Sequence, residues 1–498
     1  MTGSRRHNAL TRRLVFTTWL LYALFATTNV ARETYLAVSL AERGTIRVDE
    51  YLGLHSDLFE IPGRGGYINN NPGASLLGAI PYFVMRPALD ALFRWKPQLV
   101  APKPAAAYDD PRPNRGTFMN AARARGLDVK LGLAALITAV GLMAPLGALG
   151  AWLVFGFLKN RGVEERSAAG WALLYALGTP MLFRSAFLNQ NAILAHCVLG
   201  GYVLVAGWRP RPGTAPMPSG SLAGAGALLG FGLVCDYSAA PLLLAFGLWI
   251  LAAHLPHGVG ASIRAGARYT AGALPMIGLL LWYQFTAFGS PWFPAQRYMP
   301  ATEFSVMGWN GLFAPTGELL WGNLFDRRYG LFAFCPLLLA ALPAAFTRRE
   351  RADPTARELW LTALSSLALY VFSSANQFAN LQWNTGVRYL IPLVPPLFLA
   401  ARPVLRAMPR WSRMALISAS VAISFAVSMT RESVTEALSL VLSGGPTLPV
   451  FVVLEKMASG YPALQFGIIG PAVALGGSAA LLYLVWRPVW SAAARPTP

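Results

Sequence analysis

A chain of 498 residues in which 55% are hydrophobic and only 13% are charged is not a soluble multidomain protein, where about a quarter of residues carry charge. A formal net charge of +19 would suit a nucleic-acid binder if the cations shared one face. They fall instead in short stretches between apolar runs, which removes nucleic acid as a partner and leaves a helical membrane protein.

Four arginines (Arg5, Arg6, Arg12, Arg13) precede an apolar run from Leu14 to Ala31, long enough to stay as a first span rather than be cleaved as a leader. Further apolar runs follow at 130–158, 167–183, 188–206, 269–287, 329–347, 359–374, 388–401, 414–429 and 465–486. A pair at 220–235 and 239–254 is interrupted by Asp236 and Tyr237. At 1.5 Å per residue against ~30 Å of hydrocarbon, these runs predict an all-α polytopic fold with about twelve transmembrane helices. The whole chain, 1–498, then forms one membrane domain.

Basic residues set the orientation. With the N-terminus inside, the cytoplasmic loops carry Lys159, Arg161 and Arg166, then Arg209 and Arg211, then Arg264 and Arg268. Further on they carry Arg348, Arg349, Arg351 and Arg357, the group Arg402, Arg406, Arg410 and Arg413, and finally Arg487 and Arg495. Both termini are therefore expected in the cytoplasm. Residues 32–128 become one large external loop, although 94–130 is itself basic, because long translocated loops escape the rule. Within this loop, Ala74–Met85 covers only ~18 Å before Arg86 and Pro87, which predicts a helix near 73–92 that dips into the membrane.

Polar residues outside the cytoplasmic loops gather at the external ends of spans, so the working site is expected at the outer face. The first loop offers Glu33, Asp49 and Asp57 as carboxylates able to act as a general base, Glu33 being fixed in height by the span before it. In Asn69-Asn70-Asn71-Pro72-Gly73, Asn71 is expected to cap the next helix with Pro72 in its first turn. The free backbone donors there would also suit a phosphate. Asp236 either caps the helix after it or serves the site. Arg297, Arg328 and Arg388, each beside a tyrosine, either anchor the interface or hold a phosphate. The glycines Gly224, Gly226, Gly230 and Gly232 read as helix packing and not as a nucleotide loop. Cys197, Cys235 and Cys335 lie in or beside apolar segments, ungrouped, so neither a disulfide nor a zinc site is expected.

Four stretches carry a resemblance. They are Gly66-Tyr67 through Asn71-Pro72-Gly73-Ala74-Ser75-Leu76-Leu77 to Ile80-Pro81-Tyr82; Leu177-Gly178-Thr179-Pro180; Trp282-Tyr283-Gln284 with Phe288-Gly289-Ser290-Pro291, Tyr329-Gly330-Leu331-Phe332 and Cys335-Pro336; and Gln382 to Leu390 with Pro392 and Pro395. In this order they resemble the GT-C superfamily of membrane glycosyltransferases, in the bacterial branch similar to protein O-mannosyltransferases and the lipid A aminoarabinose transferase. The resemblance implies a polyprenyl-phosphate sugar donor, an acceptor hydroxyl left open, reaction at the outer face of a bacterial inner membrane and a catalytic acid in the first external loop. It places Glu33 first as base, then Asp57, then Asp49. Arg388, with Arg297, Arg328 and Asn70, would hold the donor phosphate, and Asp236, Tyr67 and Tyr389 would line the substrate cavity.

Two departures from the family pattern stand out: Asn70 occupies the place of a common lysine, and Arg32-Glu33 that of a common Asp-Glu pair. No cofactor is expected, and no residue pattern indicates a divalent metal. The alternatives are a transporter or flippase of lipid-linked sugars, or a lipid-binding relative without catalysis.

Overall fold

In a computed structural model, the structure describes residues 2–107, 115–207, 217–347, 353–384, 386–456, 467 and 469–493. The loop cations Arg112, Arg209, Arg211, Arg348, Arg349, Arg351 and Arg495 and the motif residue Thr385 lie outside the described residues, as do the side chains of Arg5, Arg6, Arg115, Trp383 and Asn384.

The architecture is all-α and polytopic. Among the described residues, seven helices are long and apolar enough to cross a membrane: Gly73–Trp95, Asp128–Asn160, Ala239–His257, Val259–Phe288, Ala356–Ala375, Arg410–Thr430 and Ile469–Pro488. Shorter apolar helices, Gln190–Ala206, Ser219–Cys235, Pro336–Phe346 and Val434–Gly444, pack among them. Among the described residues the only sheet is a hairpin of Leu58–Ile61 against Gly65–Ile68.

Several apolar runs take a different form from the one periodicity suggests. The run at 329–347 is a 3-10 helix over Pro336–Phe346, whose steeper rise of ~2 Å per residue lets few residues cover much depth. The run at 388–401 becomes a 3-10 turn, Ile391–Leu393, leading into Val394–Ala407. That helix is buried on every side from Val394 to Leu405, its one charged residue in that stretch, Arg402, being paired with Asp353. Residues 73–95 form one continuous helix through Pro81 and Pro87, with Ile80, Phe83, Val84 and Met85 exposed. Its length and composition are those of a spanning helix, although its uninterrupted apolar stretch is short.

The glycines read as packing residues do pack. A Cβ on Gly226 would come within 1.9 Å of Tyr269 O, and one on Gly272 within 1.9 Å of Ala223 O. Ser219–Cys235 and Val259–Phe288 therefore meet backbone to backbone.

The start of the Gly73–Trp95 helix is pressed against the end of Ser219–Cys235 in the same way. A Cβ on Gly73 would lie 2.8 Å from the Cys235 backbone nitrogen. Asn71 does not cap this helix as the sequence suggests; Pro72 holds the cap position. The Asn71 Nδ2 instead donates to Leu233 O at 2.8 Å, joining the two helix ends. The Arg32–Arg43 helix is fixed alongside: Glu42 accepts from Tyr82 Oη and from Lys130 Nζ, both at 2.7 Å.

At the opposite end of the bundle, Arg161 binds Glu358 through two hydrogen bonds of 2.6 and 2.8 Å. Both side chains are almost fully buried. Arg402 and Asp353 form a second buried pair at 2.8 Å. Removing one partner of a buried pair leaves an uncompensated charge costing about 3–5 kcal/mol, whereas an apolar pair of similar volume is tolerated. Accordingly, Arg161→Ala should lower the thermal unfolding midpoint sharply, and the double variant Arg161→Met/Glu358→Leu should recover most of the loss. Equal loss in both variants would show that the pair is not what holds these helices.

Candidate active site

A cavity of about 1260 Å³ opens where the Arg32–Arg43 helix, the loop before Gly73 and the Asn189–Asn191 turn converge. Glu33, in the first turn of its helix, is 2% exposed. Its Oε1 accepts from Arg32 Nε at 3.1 Å and from Asn70 Nδ2 at 2.7 Å. Gln190, with its amide nitrogen turned toward the carboxylate, donates to the same oxygen at 2.8 Å. The Gln190 oxygen then accepts from Asn70 Nδ2 (3.0 Å), Arg32 Nη2 (3.2 Å) and Arg388 Nη2 (3.1 Å). Among the described residues no hydrogen bond reaches Glu33 Oε2.

Arg32 also pairs with Asp57 through Nη1, and Asn69 Nδ2 donates to the other Asp57 oxygen at 3.0 Å. Burial by itself would raise the Asp57 pKa, but Arg32, His55 and Arg388 outweigh it and hold the carboxyl below its ordinary value. Burial would likewise lower Arg32, and Asp57 and Glu33 more than reverse that. A second chain runs through Arg388, whose Nε donates to Asn191 Oδ1 at 3.2 Å, while Asn191 Nδ2 donates to Asp236 Oδ2 at 3.1 Å. Asp236 also accepts from Ser238 N at 2.8 Å; it does not cap the next helix, whose cap position is Ser238, and it faces the cavity. Gln382 fixes the backbone of Arg388 and Tyr389 by accepting from both amides, at 3.2 and 3.0 Å.

Arg184 and Arg431 line the same cavity beside Arg388. Their guanidinium carbons stand 5.5 and 4.7 Å from the Phe187 ring centroid. Arg431 follows the Arg410–Thr430 helix with φ +63, a conformation uncommon outside glycine, and its Nη1 donates to Phe183 O at 3.3 Å. Such backbone placements concentrate at functional sites.

Six residues singled out from the sequence therefore meet in one cavity: Glu33, Asp57, Asn70, Asp236, Arg388 and Tyr389. Four lie outside its lining. Asp49 accepts from Gly66 N at 2.5 Å and pairs with Arg47 at 2.9 Å, tying down the hairpin. Tyr67 donates to Arg64 O at 3.1 Å and packs its ring on Phe288. Arg297 is exposed on a 3-10 turn, where its neighbour Gln296 faces the cavity instead. Arg328 is exposed and pairs with Asp326 at 2.8 Å.

The sequence reading missed Arg184, Gln190, Asn191 and Arg431. The first three sit at the junction of two segments read as apolar, 167–183 and 188–206. Polar side chains on such a boundary were the available signal.

The course of the chain is similar to two solved structures of ArnT from Cupriavidus metallidurans. One, bound to undecaprenyl phosphate, has a TM-score of 0.49 and 13% identity and covers 96% of this chain and 75% of that one. The other, in the apo state, has a TM-score of 0.47 and 13% identity, with 97% and 76% covered. ArnT is the lipid A aminoarabinose transferase, a GT-C enzyme. No family model and no curated protein matches the chain.

The Arg32–Asp57 pair gives an acid signature. Because the native Asp57 pKa is below the unfolded value of about 3.9, its stabilisation is complete above that value and is lost as pH falls through the native one. Thermal stability should decline in this window, and Asp57→Asn should be less stable at pH 7 and lose little more on acidification. An unchanged midpoint for Asp57→Asn at pH 7 would contradict the assignment.

Proposed function

We propose that this protein is a membrane glycosyltransferase that moves a sugar from a polyprenyl-phosphate donor to an acceptor hydroxyl at the outer face of the membrane. The observation that carries this reading is the division of one cavity into two unlike walls. Arg32, Arg184, Arg388 and Arg431 stand with Glu33 and Asp57 at one side, and Ile277, Leu280 and Leu281 of a spanning helix line another. An amphiphile with an anionic headgroup and a long apolar tail matches that division, because guanidinium groups suit phosphate oxygens and the apolar wall suits prenyl carbons. The undecaprenyl phosphate bound by ArnT is a ligand of this chemistry.

In the proposed reaction the acceptor oxygen forms a bond to the anomeric carbon of the donor sugar while the bond from that carbon to the phosphate oxygen breaks. Glu33 Oε2 takes the acceptor proton, and the electron pair of the broken bond leaves on the phosphate. Arg388, with Arg184 and Arg431 beside it, stabilises the charge developing there. The donor bond supplies the driving force, so no nucleotide enters. Oε1 is held by three donors, which fixes the direction in which Oε2 points. Asn70, standing where the family pattern commonly has a lysine, serves the carboxylate rather than the phosphate. Asp57, paired with Arg32 and held acidic, is a poor base and acts by keeping Arg32 in place. The outer-face location rests on the basic loops counted in the sequence.

With donor and acceptor in proteoliposomes, release of free polyprenyl phosphate measures transfer and separates it from flipping. Glu33→Gln should lower kcat about 10²–10⁴-fold, the range for loss of a general base. Arg388→Ala should lower it about 10²–10³-fold. Full activity in both Glu33→Gln and Asp57→Asn would reject a carboxylate base in this loop.

A further inference from the structure

The cavity has a third wall that the proposed chemistry leaves unused. The segment 291–312 contributes Trp292, Gln296, Thr302, Glu303, Trp309 and Asn310 to the lining. Among the described lining residues of this segment there is no cation, in contrast to the arginine wall. Trp292 is 73% exposed and Trp309 is 56% exposed, although both face a cavity. Two broad apolar rings are thus presented together with amide, hydroxyl and carboxylate groups.

The stretch of this wall that carries Trp309 and Asn310 is built to be rigid. Gly308, Asn310 and Gly311 have φ values of 56, 50 and 87, left-handed conformations in a run of four residues that only a tight knot requires. A Cβ on Gly308 would come within 2.1 Å of Leu312 O, and one on Gly311 within 2.4 Å of the Phe378 ring. Trp309 N donates to Leu312 O at 2.9 Å, and Leu312 N donates back to Trp309 O at 3.1 Å. The knot is fastened to the end of the Ala356–Ala375 helix: Phe313 N donates to Ala375 O and Gln377 N to Gly311 O, both at 2.9 Å. Strain held by its surroundings in this way preorganises the side chains it carries.

Resting on the transferase reading, we infer that this wall binds the acceptor and that the acceptor is a neutral saccharide. A pyranose ring has C–H faces that stack on indole and a rim of hydroxyls that hydrogen-bond to amides and carboxylates, the two kinds of group this wall combines. Glu303 opposes a phosphate or carboxylate placed there, so the charge arrangement sends an anionic donor to the arginine wall and an uncharged ring to this one. Trp292 and Trp309 are then specificity-determining residues for the acceptor. Trp321, 67% exposed and outside the cavity lining, belongs to the apolar outer surface and has no part in it.

The test is direct binding to the full chain in lipid nanodiscs without donor. Octyl β-D-glucoside is titrated below its micelle concentration, with 1-octanol as the matched alkyl control. The glucoside should bind saturably and octanol should not. Trp309→Ala and Trp292→Ala should each weaken glucoside binding about tenfold, while Trp309→Phe, which keeps an aromatic face, stays within about threefold. Trp321→Ala should leave the affinity unchanged. No saturable glucoside binding, equal binding of octanol, or unchanged affinity in both alanine variants would overturn the inference. Polyprenyl phosphate release is measured separately: glucoside binding lost in the alanine variants without any release sinks the transferase reading and keeps the saccharide wall. Release with glucoside affinity unaltered in those variants does the reverse.

Discussion

Charges removed from water must find partners, and the site is organised around one solution to that constraint. Glu33, Arg32, Asp57, Gln190 and Arg388 form a connected set in which each ionised or amide group satisfies another. The set joins the Arg32–Arg43 helix, the loop before Gly73, the start of the Gln190–Ala206 helix and the segment before Val394. Those four pieces are far apart in sequence, and the cavity exists because the charges hold them together. Satisfied networks of this kind are rigid, whereas partly satisfied ones are costly.

Rigidity on the polar side is matched by close packing behind it. Gly73 against Cys235 and Gly226 against Tyr269 bring backbones together where any side chain would separate them. These contacts set the positions of Asn70 and Asp236 relative to Glu33 and Arg388. The glycines therefore act on the site at one remove, by fixing the helix ends from which its polar groups project.

Much of this was legible in the residues themselves. Long apolar runs such as 130–158 and 269–287 need no tertiary context to be helices, and Glu33 and Arg388 stand beside runs whose ends are well marked. Arg184 and Gln190–Asn191 were hidden because windows of apolar residues absorb a few polar ones at their edges. Arg297 and Arg328 resemble Arg388 in sequence, each next to a tyrosine, yet they face elsewhere: a 3-10 turn directs Gln296 inward in place of Arg297, and Asp326 holds Arg328 at the surface. Asn71 reads as a helix cap from local pattern, but a distant carbonyl, Leu233 O, takes its side chain. Local patterns mark where the apolar elements lie; which way a side chain turns is decided by the partners it finds, as near as Asp326 for Arg328 or as far as Leu233 for Asn71.

The most direct measurement of the central claim is an experimental density map of the protein in nanodiscs with undecaprenyl phosphate added. The account predicts phosphate density within hydrogen-bonding distance of Arg388, with the first prenyl units running along Ile277, Leu280 and Leu281. Phosphate density at Arg297 or Arg328, or an empty cavity under saturating lipid, would contradict it.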